Sequence, residues 1–235
     1  MAKGKAKAGE NEDHIYDNPD VLAEQLTKTE QFIEKHRGKV LGVIGGVAVI
    51  IAGIFFFRYN VSEKNIEAQK ELFQAVFYFE QDSLSKALNG DGNNYGFLEI
   101  IEEFGGTDAA NIASYYSGVC YLQMGDFESA IEYLGDYSSS DILIQARAYS
   151  LMGDAYAELS EYGEAATYYE KAADYKPNEF FTPTYLKKAA VAFEKSKNLE
   201  KAQKCYEIIV DDYFNSPEYA DARKHKVRLE VLLAG

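Results

Sequence analysis

Three stretches of this chain superimpose without a gap at their centres, and no other feature restricts its fold so strongly. "SGVCYLQMGDFESAIEYL" sets Gly118, Tyr121, Gly125, Phe127, Ala130 and Leu134 in a fixed order. "MGDAYAELSEYGEAATYY" repeats that order with Gly153, Tyr156, Ser160, Tyr162, Ala165 and Tyr169. "AAVAFEKSKNLEKAQKCY" repeats it again with Ala190, Phe193, Lys197, Leu199, Ala202 and Tyr206. The offsets are 35 and then 37 residues, a period that belongs to stacked helix-turn-helix units. A small residue at 118, 153 or 190 lets the second helix of a pair cross close to the first, and an aromatic three residues later fills the space beside it. Ala130, Ala165 and Ala202 do the reciprocal job on the second helix. One such hairpin cannot bury its own apolar face, so neighbours must stack, giving an all-α solenoid with a concave inner wall.

This order of small, aromatic, Ala, aromatic and Ala positions resembles the tetratricopeptide repeat, and it is most complete over 153–177, where Ala172 and Pro177 finish it. The first repeat departs from the pattern by ending at Tyr137 and "SSSD" without a proline, and the third runs on into "VDDYFNSP". In proteins of that kind the first helix of each pair lines the concave wall. The resemblance therefore implies a wall of Tyr115, Val119 and Leu122, then Arg147, Ser150, Asp154 and Glu158, then Lys187, Val191 and Lys195. Its chemistry changes from apolar through acidic to basic, which suits an extended polypeptide or a folded partner. The wall carries no Asn of the kind that helps other tetratricopeptide proteins clamp a chaperone's terminal carboxylate. After the third repeat, Ser216 followed by Pro217 reads as a capped helix start. The helix beyond it carries Arg223, Lys224, Lys226 and Arg228 as a charged face able to cover the open end of the stack.

Charge and composition exclude several activities. The net charge of −14 argues against nucleic-acid binding, which relies on cations to neutralise phosphates. Residues 87–170 hold 15 acidic side chains and one basic, Arg147, whereas 171–235 hold 12 basic and 10 acidic. Nineteen Tyr and fourteen Phe with no Trp supply the aromatic bulk of the repeats. Cys120 and Cys205 fit no metal-ligand spacing and read as small buried hydrophobes. His14, His36 and His225 fall in three different settings without a pairing such as HExxH. Asp91 in "NGDGNN" lacks the rest of a calcium loop, including its terminal Glu. With no phosphate loop or nucleophile pattern either, no cofactor, metal or catalytic role is expected.

From Val40 to Phe57, "VLGVIGGVAVIIAGIFFF" is 18 residues without a charge. As a helix it extends about 27 Å, near the hydrocarbon thickness of a bilayer. It follows a long polar stretch and precedes no small-residue cleavage site, so it is expected to be a permanent single anchor in membrane lipid. Lys28, Lys35, Arg37 and Lys39 crowd its N-terminal side, while only Arg58 lies at the other boundary. That asymmetry favours a cytoplasmic N-terminus. Gly42, Gly46 and Gly53 share one face of the span and offer a surface for a neighbouring helix.

The expected organisation is a disordered tail over 1–18, an amphipathic juxtamembrane helix over 19–39 and the span over 40–59. A linker helix and first helical unit over 60–108, three repeats over 109–216 and a closing helix over 217–235 follow. This order of parts, with the lead-in "LAEQLTKTEQFIEKHRGK" and the stretches "YFEQDSLSKALNGDGNNYGFLEI" and "NEFFTPTYLKKAA", resembles the YfgM-type ancillary subunit of the bacterial SecYEG translocon, in a Bacteroidota-like form. The resemblance implies an inner-membrane adaptor with periplasmic repeats, partnered by translocon subunits and by periplasmic chaperones or exported polypeptides. A scaffold for another envelope assembly and an organellar import receptor with cytosolic repeats are the alternative readings.

Overall fold

The computed structural model describes residues 33–234. The expected tail over 1–18 and most of the amphipathic stretch over 19–39 lie outside the described residues. Ten helices follow from Arg37: α1 (Arg37–Glu80), α2 (Leu84–Asn89), α3 (Phe97–Glu103), α4 (Asp108–Met124), α5 (Phe127–Asp136), α6 (Ile144–Glu158), α7 (Tyr162–Asp174), α8 (Thr182–Lys195), α9 (Leu199–Asp212) and α10 (Tyr219–Ala234). There is no strand among the described residues. The chain divides into two units, residues 1–60 and 61–235.

In the first unit, α1 carries the apolar run, and its side chains from Leu41 to Phe57 are exposed rather than buried by protein. It is long and apolar enough to cross a membrane. A methyl group built on Gly42, Gly46 or Gly53 would meet nothing within 4 Å.

The second unit begins within α1, whose Ala68, Leu72 and Ala75 recur at i, i+4 and i+7 and are buried as one stripe. They pack with Ala87, Leu88, Phe97, Ile100 and the start of α4. Asn65 Oδ1 accepts from the Ala109 amide at 3.0 Å, and the Thr107 hydroxyl from Ala110 at 3.2 Å. Two of the amides that a helix start leaves unpaired are thereby satisfied. From α4 to α10 each helix packs on the next, and α4 also meets α6.

The hairpin turns show why the repeats share a spacing. Residues Gly125, Ser160 and Lys197 take left-handed φ values of 81°, 63° and 64°. In each, the carbonyl four residues earlier accepts the amide one residue later: Asp126 to Tyr121 at 3.0 Å, Glu161 to Tyr156 at 2.8 Å and Asn198 to Phe193 at 2.8 Å. This is a Schellman termination, in which a reversed φ lets the last carbonyls of a helix find donors. The same turn occurs a fourth time, unanticipated from the sequence. Asp82 has φ 55° and Ser83 donates to Tyr78 O at 2.9 Å. Ala75, Tyr78, Leu84 and Ala87 then stand where Gly118, Tyr121, Phe127 and Ala130 stand one unit later. The end of α1 and α2 therefore form a shortened hairpin of the same kind, whose second helix stops at Asn89. Behind it, Phe97 of α3 stacks on Tyr116 with centroids 5.4 Å apart.

The proline-free loop after the first repeat is pinned by hydrogen bonds. Asn111 both donates to and accepts from the Ser138 backbone, at 2.9 and 3.0 Å. Buried Gln145 accepts from Ser139 at 2.6 Å, and Tyr175 and Lys176 of the next repeat donate to the carbonyls of Ser139 and Ser140. Stacked tyrosine pairs recur one repeat apart, Tyr121 on Tyr133 at 5.3 Å and Tyr156 on Tyr168 at 5.2 Å.

At the end of the stack one expectation is corrected and another is met in part. The Ser216 hydroxyl is buried and makes no hydrogen bond among the described residues, and helix α10 begins at Tyr219. The Ser216 carbonyl is occupied instead, accepting from Tyr219 in a turn at 3.2 Å. The closing helix joins the stack through an apolar stripe as well as through two of the four expected charges. Ala222 and Leu229, both 0% exposed, face the core, and the His225 ring lies 5.1 Å from that of Tyr206. Arg228 and Lys226 flank that contact and pair with Glu194 and Glu207, while Arg223 and Lys224 remain exposed.

Candidate functional site

Helices α4, α6 and α8 carry all ten wall residues read from the sequence, at spacings of three or four residues that keep each set on one helical face. Their surroundings differ. On α4, Tyr115 is half-buried between Tyr116 and Tyr137, and Val119 and Leu122 are partly covered. On α6, Arg147 and Glu158 are exposed, Asp154 is partly buried and Ser150 is buried. On α8, Val191 is 41% exposed between Lys187 and Lys195.

Asp154 is the junction of these helices. It accepts from the Tyr169 hydroxyl at 2.7 Å, and Lys188 Nζ donates to both its oxygens at 2.8 and 2.9 Å. Lys188 also reaches the Ser150 hydroxyl at 3.3 Å and stands 5.4 Å from the Tyr169 ring centroid. Ser150 therefore lies beneath Lys188 and supports the surface from inside. Burial, reinforced by the bond to Asp154, pushes the Tyr169 phenol well above its ordinary pKa, so it stays a donor at neutral pH. Lys188 was not singled out from the sequence, and Tyr169 was read there only as a repeat packing position. Their signal was faint: opposite charges at 154 and 188, 34 residues or about one repeat apart.

Two clefts flank this junction and share Ala157 and Tyr169. One, of about 560 Å³, is lined by Leu122, Phe127, Asp154 and Glu158 and is acidic and apolar. The other, of about 390 Å³, is lined by Tyr162, Lys187, Lys188, Val191 and Lys195 and is basic and apolar. Lys187 pairs with Asp221 at 2.8 Å and Lys188 with Asp154, whereas Lys195 lies 4.6 Å over the Tyr162 ring. The cation most available to a ligand in the basic cleft is therefore Lys195. Arg147 sits near the phenols of Tyr115 and Tyr185, whose pKa values burial raises and the guanidinium lowers in part.

Cys120 and Cys205 are free and buried, with thiols pushed up to about 12 by burial. Neither has the lowered pKa of a reactive thiol. Asp91 is engaged by the Tyr78 hydroxyl at 2.6 Å and by the amides of Asn93 and Asn94, both at 2.9 Å. No cluster of three His, Cys, Asp or Glu side chains able to hold a metal occurs among the described residues.

A family model for the tetratricopeptide repeat matches residues 121–179. The match begins in the last turns of α4, takes in α5, α6 and α7, and ends in the loop before α8. It therefore contains the Asp154–Tyr169 half of the junction and both stacked tyrosine pairs. With the helices on either side, the described residues of the second unit form an all-α, tetratricopeptide-type stack of hairpins. Tetratricopeptide repeats are in general protein-binding modules without catalytic chemistry. No curated protein matches the chain.

Proposed function

We propose that this chain is a single-pass, membrane-tethered adaptor that holds protein partners on the wall formed by α4, α6 and α8. The observation that carries the reading is the paired clefts, one acidic and one basic, each with apolar side chains exposed between its charges. A small ligand needs a more enclosed site, whereas a polypeptide reads alternating charge and apolar contacts along a groove. The exposed apolar face of α1 supports the tether.

The order of parts along the chain supports a finer assignment: an ancillary subunit beside the SecYEG channel of a bacterial inner membrane, with the N-terminus cytoplasmic and the repeats periplasmic. There the wall receives periplasmic chaperones or emerging chains. Affinity purification of the full chain from mild-detergent extracts is expected to enrich translocon subunits, and their consistent absence would remove the channel from the proposal. Leu122→Glu, Val191→Glu and Lys195→Glu together are expected to lose the soluble partners while keeping the membrane-embedded ones. Retention of every partner by that variant would overturn the wall as the binding surface. Topology has its own test: a membrane-impermeant maleimide applied to spheroplasts is expected to label Glu200→Cys, against a low background from buried Cys120 and Cys205. Labelling only after lysis would place the repeats on the other side.

A further inference from the structure

Helix α10 matches the first helix of a repeat, and this exposes an unused face. Ala222 and Leu229, both fully buried, stand seven residues apart, as do Ala113 and Cys120 on α4 and Ala148 and Ala155 on α6, each also fully buried. In that register Val227 takes the place of Gly118, Gly153 and Ala190, the positions that a repeat's own second helix covers. Among the described residues nothing covers Val227, which is 52% exposed, or Val231, which is 70% exposed. Ala220, Lys224, Val227, Val231 and Ala234 are all exposed and follow one another at intervals of four, three, four and three residues. That is the spacing of a short two-helix coiled-coil seam, with one lysine at a seam position.

The charges beside the seam identify what fits it. Arg223 and Lys224 lie toward one end and Glu230 toward the other, all exposed. Two copies of α10 packed antiparallel about Val227 bring Arg223 and Lys224 of each beside Glu230 of the other, twice over by the two-fold axis. A parallel pair would set like charges together. Arg228 and Asp221, on the opposite flank, pair with Glu194 and Lys187, and Glu230 makes one long contact, 3.9 Å to Lys226, whose shorter one is with Glu207 at 3.6 Å. We infer that α10 is a self-association surface, and that two copies of this chain pair antiparallel through Ala220, Val227 and Val231. A contact of one helix on one helix is at the small end for a specific interface, so the pair is weak and exchanging.

The test uses the full chain in detergent micelles and in liposomes. Val227→Cys places a thiol at the two-fold axis, and mild oxidation is expected to give a disulfide-linked dimer, whereas Lys204→Cys on exposed α9 surface gives little. Adding Glu230→Arg, or Arg223→Glu with Lys224→Glu, turns attraction into repulsion and is expected to lower the cross-linked fraction roughly tenfold. Combining all three substitutions is expected to restore it. Every changed side chain is exposed, and unchanged circular dichroism and melting would certify the fold. Equal cross-linking at 227 and 204, as pairing through another part of the chain would produce, overturns the proposal. So does a combined variant no better than the single-sided ones, or a Val227→Cys chain that stays monomeric.

Discussion

A methyl group on Gly118 would lie 2.5 Å from Leu134 Cγ, 3.0 Å from the Leu134 amide nitrogen and 3.1 Å from the Ala130 carbonyl. Two of those neighbours are backbone and cannot turn aside. Helix propensity favours Ala over Gly by about 1 kcal/mol, but overpacking a tight crossing costs about 1–3 kcal/mol. Gly118→Ala is therefore expected to lower stability by about 1 kcal/mol, read as a lower melting temperature by far-ultraviolet circular dichroism. At Gly153 the three nearest atoms to the added carbon all belong to the Tyr169 ring, at 2.6, 2.7 and 3.1 Å. The third repeat sets Ala190 at that place with Tyr206 opposite, but the Tyr169 ring is buried and tied to Asp154, so Gly153→Ala is expected to lower the melting temperature as well. The turns give the opposite sign. Ser160 and Lys197 hold the left-handed conformation that Gly125 adopts freely. Relief of that strain exceeds the added freedom of the unfolded chain, so Ser160→Gly and Lys197→Gly are each expected to stabilise by about 0.5–1 kcal/mol.

Among the elements, the shortened hairpin of α1 and α2 depends on a carboxylate. The Tyr78 hydroxyl first, and then the amides of Asn93 and Asn94, hold Asp91 well below the usual carboxylate range. A depressed pKa of this kind stabilises the fold above the unfolded value near about 4, and the contribution is lost as pH falls through the folded value. The protection of amides in α2 and the loop after it, taken relative to the intrinsic exchange rate at each pH, is expected to fall below about pH 4. Asp91→Asn is expected to lower it already at neutral pH and to flatten the dependence. The same hairpin shows what the sequence concealed. The three later pairs were legible because a small residue, an aromatic and an Ala recur on both helices. In α2 the pattern ends after Ala87, because Asn89 and Gly90 stop the helix and Asp91 stands where Leu134, Tyr169 and Tyr206 pack. The placement of the ten wall residues on α4, α6 and α8 followed from the repeat resemblance together with helix spacing. The Asp154–Lys188 contact was not legible, because two side chains on different helices share no local pattern and only the stacking of repeats brings them together.

At the scale of the whole molecule, the apolar run and the repeats impose separate requirements. Lysine at the centre of a spanning helix costs about 2.5–3.5 kcal/mol. Ile50→Lys with Ile54→Lys is therefore expected to release the chain from membranes on alkaline carbonate washing, while the unaltered chain stays in the pellet. The repeats should remain folded in the released form, since residues 61–235 make a compact unit of their own. Their two stacked phenol pairs also have an optical consequence. With no indole in the chain, chirality in the near ultraviolet originates chiefly in tyrosine, and Tyr121–Tyr133 and Tyr156–Tyr168 are coupled chromophores in adjacent repeats. Loosening of either hairpin should dim that band before the amide signal changes, a built-in gauge of the middle of the stack that requires no label.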